Sequence, residues 1–342
     1  MMHTPIPETM HAVQYARHGG PDALQLVRTR TPECAANEVL VRVRACALNG
    51  FDPMMLAGST GLKVPLPMTP CGDFAGEIAA LGASVSGWSV GDRVCPYPIL
   101  PGKGMMGETT PGAACEYVAI PAEALIAVPG AVSDVDAAAM PCAYGTALRM
   151  VETRGRISAG EKVLILGASG GVGVAAIQFA KRLGAYVIAG ASGEGKRAAL
   201  MSIGADEILD TSDREWRKTV VARHGRPAFF GESGGVDVVI NYIGGPTWVE
   251  SLKCLAKGGR ILVCGASAGF DPQEDLRYIW SFEQTVIGSN GWSMKDQGVL
   301  LSRAAQGDFR PVIHEVYPVG ELPRAMEDMI ARKVIGKAVI AI

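Results

Sequence analysis

The stretch Ile165–Ala185, ILGASGGVGVAAIQFAKRLGA, crowds four glycines between an apolar run and a segment of helical pattern. Val163–Leu166 reads as a buried strand, Gly167–Gly173 as a turn and Ala175–Leu183 as a helix. Strand, turn and helix in that order are the context a dinucleotide fingerprint requires, and Ala168, Gly170 and Gly173 fall in its three positions. Without a Cβ, Gly170 lets a pyrophosphate approach the backbone, where the N–H groups of the helix start hold it. Gly173 permits close packing of helix on strand. Ser169, Gly171 and Val172 complete the turn and are expected to touch the cofactor with it.

Working outward, the chain has two textures. From Ser133 onward, strands such as KVLILG, YVIAG, VDVVINYIGG, RILVCGA and TVIGSNG alternate with helical segments, which implies a parallel sheet covered on both faces. From about His11 to Val128 the pattern is short β-branched runs broken by Gly and Pro, namely residues 39–45, 77–82, 91–97 and 116–120, the signature of a β-rich, barrel-like domain. A length of 342 residues exceeds what one compact core usually holds, in keeping with two domains. The fold class is therefore α/β, a β-barrel domain plus a doubly wound parallel-sheet nucleotide-binding domain.

Charge and cysteine usage exclude several function classes. A net charge of −2 with no basic block argues against a nucleic-acid or anionic-membrane partner. The N-terminus, MMHTPIPETMHAV, has neither the basic nor the apolar region of a secretory signal and reads as a short disordered lead-in. Eight cysteines are scattered without a C-x-x-C pair, as expected of reduced, buried thiols in a cytoplasmic protein.

The second strand of the αβ half bears on which dinucleotide binds. NAD-preferring sites end this strand with Asp or Glu on the ribose 2′-hydroxyl. Here YVIAGASGEGKR has no carboxylate before Glu194, and Ser192, Lys196 and Arg197 are placed to meet a 2′-phosphate. NADPH is the expected cofactor.

Taken together, VLVRVRACALNGFD, PCGDFAGEIAALGASVSGWSVGDRV, MPCAYGTALRMV, the glycine turn, GVDVVINYIGGPTWVESLKCLAKGGRILVCGA and the closing GKAVIAI resemble the medium-chain dehydrogenase/reductase superfamily over almost the whole chain. The resemblance implies a GroES-like catalytic domain made of residues 1–128 and 292–342, a Rossmann domain of residues 129–291, and an active site in the cleft between them. Zinc alcohol dehydrogenases of this superfamily carry Cys, His-Glu and Cys at positions that Asn49, Gly72-Asp73 and Cys142 occupy here. Three protein ligands are the norm for catalytic zinc, and only Cys142 is a good one. Cys95 and Cys115, with no cysteine between them, do not make a four-cysteine structural site.

Without a Lewis acid, alkoxide chemistry loses its basis. Zinc-free members of the superfamily reduce quinones or the activated C=C of enones, enals and enoyl thioesters, and that is the expected function. An alcohol or carbonyl dehydrogenase and a non-enzymatic NADPH binder remain as alternatives.

Tyr144, Asn49 and Asp52 are the candidate catalytic residues. The Tyr144 phenol and the Asn49 amide are oxyanion donors, with a packing role for Tyr144 and a loop-fixing role for Asn49 the alternatives; Asp52 orders its loop or moves a proton. Phe51, Met54, Met105, Met106, Trp280 and Trp292 are candidate apolar walls of the substrate pocket. By resemblance, Thr146, Asn241, Ile243, Gly265, Ala266, Ser289 and Asn290 are further cofactor contacts, and Lys337 reaches toward the cofactor or is a surface charge. The β-branched TVIGS (285–289) should lie at a sheet edge and pair with its twin in a homodimer.

Overall fold

The computed structural model describes residues 5–342; Met1–Thr4 of the lead-in lie outside them. From Thr9 the lead-in is ordered, because Thr9–Gln14 pairs antiparallel with Gln25–Arg30. The chain divides into one unit of Met1–Ala143 with Ser293–Ile342 and another of Tyr144–Trp292. The first boundary thus falls within the helix Pro141–Leu148, later than the 128/129 read from the sequence. The segment after Val128 stays with the first unit: Arg93 donates to the Asp134 carboxylate at 2.5 Å and to the Val132 carbonyl at 2.7 Å, and the helix Asp134–Ala139 packs on the strands before it.

In the first unit a six-stranded sheet runs Ile313–Pro318, Lys337–Ala341, Glu38–Ala47, Asp73–Leu81 and Arg93–Val94, with Tyr117–Pro121 also paired to Glu38–Ala47. The alternation in Glu38–Ala47 turns Val39, Val41 and Val43 into a core shared with Phe74, Ile78, Ile120, Tyr317 and Ile340. The chain's last strand lies antiparallel to the end of Glu38–Ala47, with Val339 opposite Ala47 and the Leu48 N–H donated to the Ala338 carbonyl at 3.0 Å. This pairing carries Lys337 to the loop that follows Ala47.

The second unit is a six-stranded sheet, parallel throughout, in the order Glu207–Asp210, Tyr186–Ala191, Lys162–Leu166, Val236–Ile240, Leu255–Val263, Thr285–Gly288. The order is doubly wound, and chain direction across the sheet reverses between Lys162–Leu166 and Val236–Ile240, the topological switch point at which such sheets bind ligands. Continuous burial of Val163–Leu166 and Val238–Ile240 is what helices on both faces of a parallel sheet require. Among the described residues no helix is long and apolar enough to cross a membrane.

Candidate cofactor cradle and buried polar cluster

The glycine turn leaves the carboxyl end of Lys162–Leu166 and enters the helix Gly171–Arg182 with Gly170 as its N-cap, in extended conformation at φ −74° and ψ 169°. The N-cap residue supplies no side-chain acceptor; the Tyr242 hydroxyl meets the Gly173 N–H, and the N–H groups of Gly171 and Val172 ahead of it are left for another acceptor. Gly167 turns the chain at φ +70°, where a residue with a Cβ is strained. Gly173 lies against the start of the turn, a Cβ there falling 2.6 Å from the Ala168 backbone. At Gly170 a Cβ meets nothing closer than 3.5 Å. The glycine at 173 is thus needed by the fold, whereas the one at 170 leaves open space above the helix start.

Tyr242, which carries no signal of its own in the sequence, braces this turn by donating from its hydroxyl to the Gly167 carbonyl at 2.5 Å. Burial pushes its phenol well above the usual range, so it stays a donor. Ser289, at the carboxyl end of the last strand, is 5% exposed and its Oγ has no hydrogen-bond partner. A bare helix start, an open glycine and an orphaned hydroxyl at strand carboxyl ends fit a dinucleotide.

Of the other expected cofactor contacts in this unit, Thr146 is buried, Ile243 and Ala266 are half-buried, and Gly265 and Asn290 are exposed. Asn241 departs from expectation. Its side chain is fully buried and engaged within the unit, accepting from the Ile243 and Gly244 N–H groups and donating to Thr247 and Ser251, so it shapes its loop. At the second strand, Ser192 and Lys196 are half-buried and Arg197 is exposed. Asp210, aligned with Ala191 on the neighbouring strand, is held below the usual carboxylate range by Ser212, with a smaller pull from Arg197.

In the first unit Asn49, Asp52, Asp73, Cys142 and Lys337 come together. Asp52, 7% exposed, accepts the Asn49 N–H at 2.6 Å on one oxygen and the Cys71 N–H at 3.1 Å on the other. It therefore clamps the Asn49 loop to the turn that starts Asp73–Leu81, a turn in which Cys71 sits at φ +72°. Burial pushes the Asp52 carboxyl up to about 6 against those two hydrogen bonds. Both its oxygens are occupied by backbone, the placement of a loop-ordering residue rather than a proton carrier.

Asp73, 1% exposed, accepts from Asn49 Nδ2 at 2.9 Å and from the Cys142 N–H at 3.1 Å. Burial pushes its carboxyl up, opposed by Lys337, Asn49 and the Cys142 N–H. Lys337, 2% exposed, donates from Nζ to Asn49 Oδ1 and lies 3.6 Å from Asp73 Oδ2. It is therefore not the surface charge of the alternative reading, because strand pairing holds its Nζ among the buried groups of the first unit. Burial and the Asp73 charge push the Cys142 thiol far up, so it stays protonated.

Glu108 had no signal in the sequence. It is half-buried in the loop after Met105 and Met106, and burial with the Asp52 charge pushes its carboxyl up to about 7. The Cys71–Asp73 turn fixes this loop: a Cβ at Gly107 would lie 2.8 Å from the Gly72 N, and one at Gly72 would lie 2.6 Å from the Met106 carbonyl oxygen.

Tyr144 is wholly buried in the second unit, edge-on to Phe179 at 6.0 Å between centroids. Within its unit this is the placement of a packing tyrosine. Among the expected pocket walls, Phe51, Met54 and Met105 are half-buried. Met106 belongs to the hydrophobic core. Trp292 is packed so tightly on Gly145 that a Cβ there would lie 2.5 Å from its ring. Trp280 is 66% exposed on the helix Leu276–Ser281, so it walls no pocket within its unit.

Residues 35–130 match the alcohol dehydrogenase GroES-like domain, and residues 171–306 match the zinc-binding dehydrogenase family. The chain is 30% identical to the quinone oxidoreductase of Mus musculus over 330 residues, 94% of each chain. It is 29% identical to the acryloyl-coenzyme A reductase of Metallosphaera sedula, over 94% of this chain and 97% of that one. A crystal structure of an NAD-dependent alcohol dehydrogenase superposes with a TM-score of 0.89 at 31% identity, covering 97% of this chain and all of that one. The zinc implied by the second family's name does not fit the residues here: Asn49 is committed to Asp73 and Lys337, Gly72 has no room for a side chain, and an ammonium stands beside Asp73.

Proposed function

Because the chain belongs to the medium-chain dehydrogenase/reductase superfamily, in which it is an oxidoreductase of the nicotinamide-dependent kind, we propose that it is an NADPH-dependent, zinc-independent reductase acting on a quinone or on the activated C=C of an enone, enal or enoyl thioester. The observation that carries this reading is the filling of the metal position by the chain's own amide, carboxylate and ammonium groups. Such a set polarises no alcohol for alkoxide formation, but it can hold one amide donor rigid. The names of the mouse and Metallosphaera relatives, a quinone and an enoyl thioester reductase, support the same substrate classes.

NADPH, when bound, supplies the hydride. The N–H groups of Gly171 and Val172 at the helix start would hold the pyrophosphate, the Ser289 hydroxyl would supply a further hydrogen bond, and Ser192, Lys196 and Arg197 would receive the 2′-phosphate. Asn49 keeps one amide N–H for the oxygen on which negative charge develops, and that donor is worth roughly a hundredfold to a thousandfold in rate by analogy with other oxyanion donors. Glu108, protonated up to about pH 7, supplies the proton. The exposed Val286 within the edge strand Thr285–Gly288, with the exposed Leu276 and Trp280 on the helix that precedes it in the chain, supports a homodimer formed at this edge.

The test is NADPH oxidation against a panel of quinones, enones and enoyl thioesters before and after exhaustive chelation. Turnover that survives chelation is expected. Likeness to the superposed NAD-dependent alcohol dehydrogenase favours a second reading, alcohol dehydrogenation, and turnover that is lost on chelation and restored by zinc would establish it instead.

A further inference from the structure

Lys337 has no part in the reaction as described, yet a lysine buried to 2% exposure is expensive unless its charge is met. The Asn49 amide lies between two groups of fixed and opposite hydrogen-bonding sense. Its Oδ1 accepts from the Lys337 ammonium, which can only donate, and its Nδ2 donates at 2.9 Å to the Asp73 carboxylate, which accepts. Rotating the amide by half a turn would set NH2 against ammonium and carbonyl against carboxylate, breaking both bonds and adding two repulsions. One orientation is therefore locked. In it Asp73 takes one N–H of the amide, and the second has no partner among the described residues.

Distance in sequence hides this arrangement. Lys337 is 288 residues from Asn49, and only the pairing of the last strand with Glu38–Ala47 brings the two together.

We propose that Lys337 is a positioning residue: its ammonium is the fixed cation of the site and locks the Asn49 amide with one N–H presented to the substrate oxygen. The proposal rests on the reading of Asn49 as the oxyanion donor of a reductase. The ammonium acts through Asn49 and needs no contact with substrate or cofactor. Two consequences separate this role from a cofactor contact. Removing the ammonium lowers kcat while leaving NADPH affinity in place, and the loss disappears in a protein that already lacks the Asn49 amide.

The experiment is a double-mutant cycle of Lys337→Met and Asn49→Ala, with Lys337→Gln as the partial rescue because an amide still donates to Oδ1. On the best acceptor of the panel, Lys337→Met is expected to lower kcat about tenfold to a hundredfold, Lys337→Gln less, and Lys337→Met on Asn49→Ala by no more than about threefold. NADPH affinity by fluorescence titration should change less than about threefold. Additive losses, or a tenfold rise in the NADPH dissociation constant with kcat unchanged, would overturn the proposal.

A readout independent of turnover is the side-chain amide NMR pair that vanishes in Asn49→Ala. It should be a single, sharp pair in the parent protein and shifted or exchange-broadened in Lys337→Met, or in Lys337→Gln where the Met variant does not fold. An unchanged pair refutes the lock. If the parent protein reduces nothing on the panel, the reductase reading fails, and the amide signal still decides whether Lys337 fixes Asn49.

Discussion

Gly170 and Gly173 stand three residues apart in one turn, and the structure gives them different duties that a pair of alanine substitutions separates. At Gly173 the new methyl would sit 2.6 Å from three backbone atoms of Ala168, where carbon contacts normally lie near 3.5–4.0 Å. The helix Gly171–Arg182 must then retreat by about 1 Å from the turn. Overpacking of this kind costs about 1–3 kcal/mol, offset by about 1 kcal/mol from replacing glycine in a helix. The empty protein should therefore lose about 1 kcal/mol, and cofactor binding should suffer with it.

At Gly170 the nearest atoms to the new methyl are the Gly167 carbonyl at 3.5 Å and the Tyr242 hydroxyl at 3.6 Å, ordinary contacts, and the extended φ of −74° suits alanine. The empty protein should lose at most about 1 kcal/mol, the difference between glycine and alanine at an N-cap. The methyl nonetheless stands where a pyrophosphate would approach, and the NADPH dissociation constant should rise at least about tenfold, or 1.4 kcal/mol. Thermal unfolding reads both quantities. NADPH at 100 times the parent dissociation constant stabilises the parent by about 2.7 kcal/mol and a tenfold weaker binder by about 1.4, so the cofactor-induced shift should halve in Gly170→Ala. A full-sized shift in Gly170→Ala would refute the placement of the pyrophosphate over this glycine.

Three further outcomes are expected. NADPH should be preferred to NADH by at least about tenfold in kcat/KM, and replacing Lys196 and Arg197 together by Ala should narrow the ratio; equal use of the two cofactors by the parent protein would reject the 2′-phosphate assignment. As an acid, Glu108 must carry its proton, which it does below and loses above about pH 7, so kcat/KM should fall as pH rises through 7. Glu108→Gln should be slow at all pH values and lack that limb, and a variant with the parent profile would remove Glu108 from the mechanism. At the sheet edge the Ser289 N–H points inward to the Val263 carbonyl at 2.8 Å, so by alternation the Val286 N–H points outward. Val286→Pro should then shift sedimentation from dimer toward monomer with little change in NADPH binding, and a parent protein that is monomeric at micromolar concentration would overturn the dimer.

Sequence alone determined what is local. Glycine spacing, strand-length apolar runs and the helical pattern after Gly173 act over a few residues, and they specified the turn, the parallel sheet and the edge position of Thr285–Gly288. The poor metal-ligand set at Asn49, Gly72 and Cys142 was likewise legible, since donor chemistry belongs to the residue type. Burial and pairing across long separations required the tertiary structure. Tyr144 and Asn241 are polar side chains whose duties depend on their surroundings, and burial against Phe179 or among loop N–H groups turns each inward. Glu108 gains its raised carboxyl only because a folded loop half-buries it within the field of Asp52. Nothing in the local sequence of Lys337 marks it as buried, and a β-ladder closing the chain's last strand onto Glu38–Ala47 makes it the buried partner of Asn49 and Asp73. Strand register fixes such a contact, and register across nearly three hundred residues leaves no local mark on the chain.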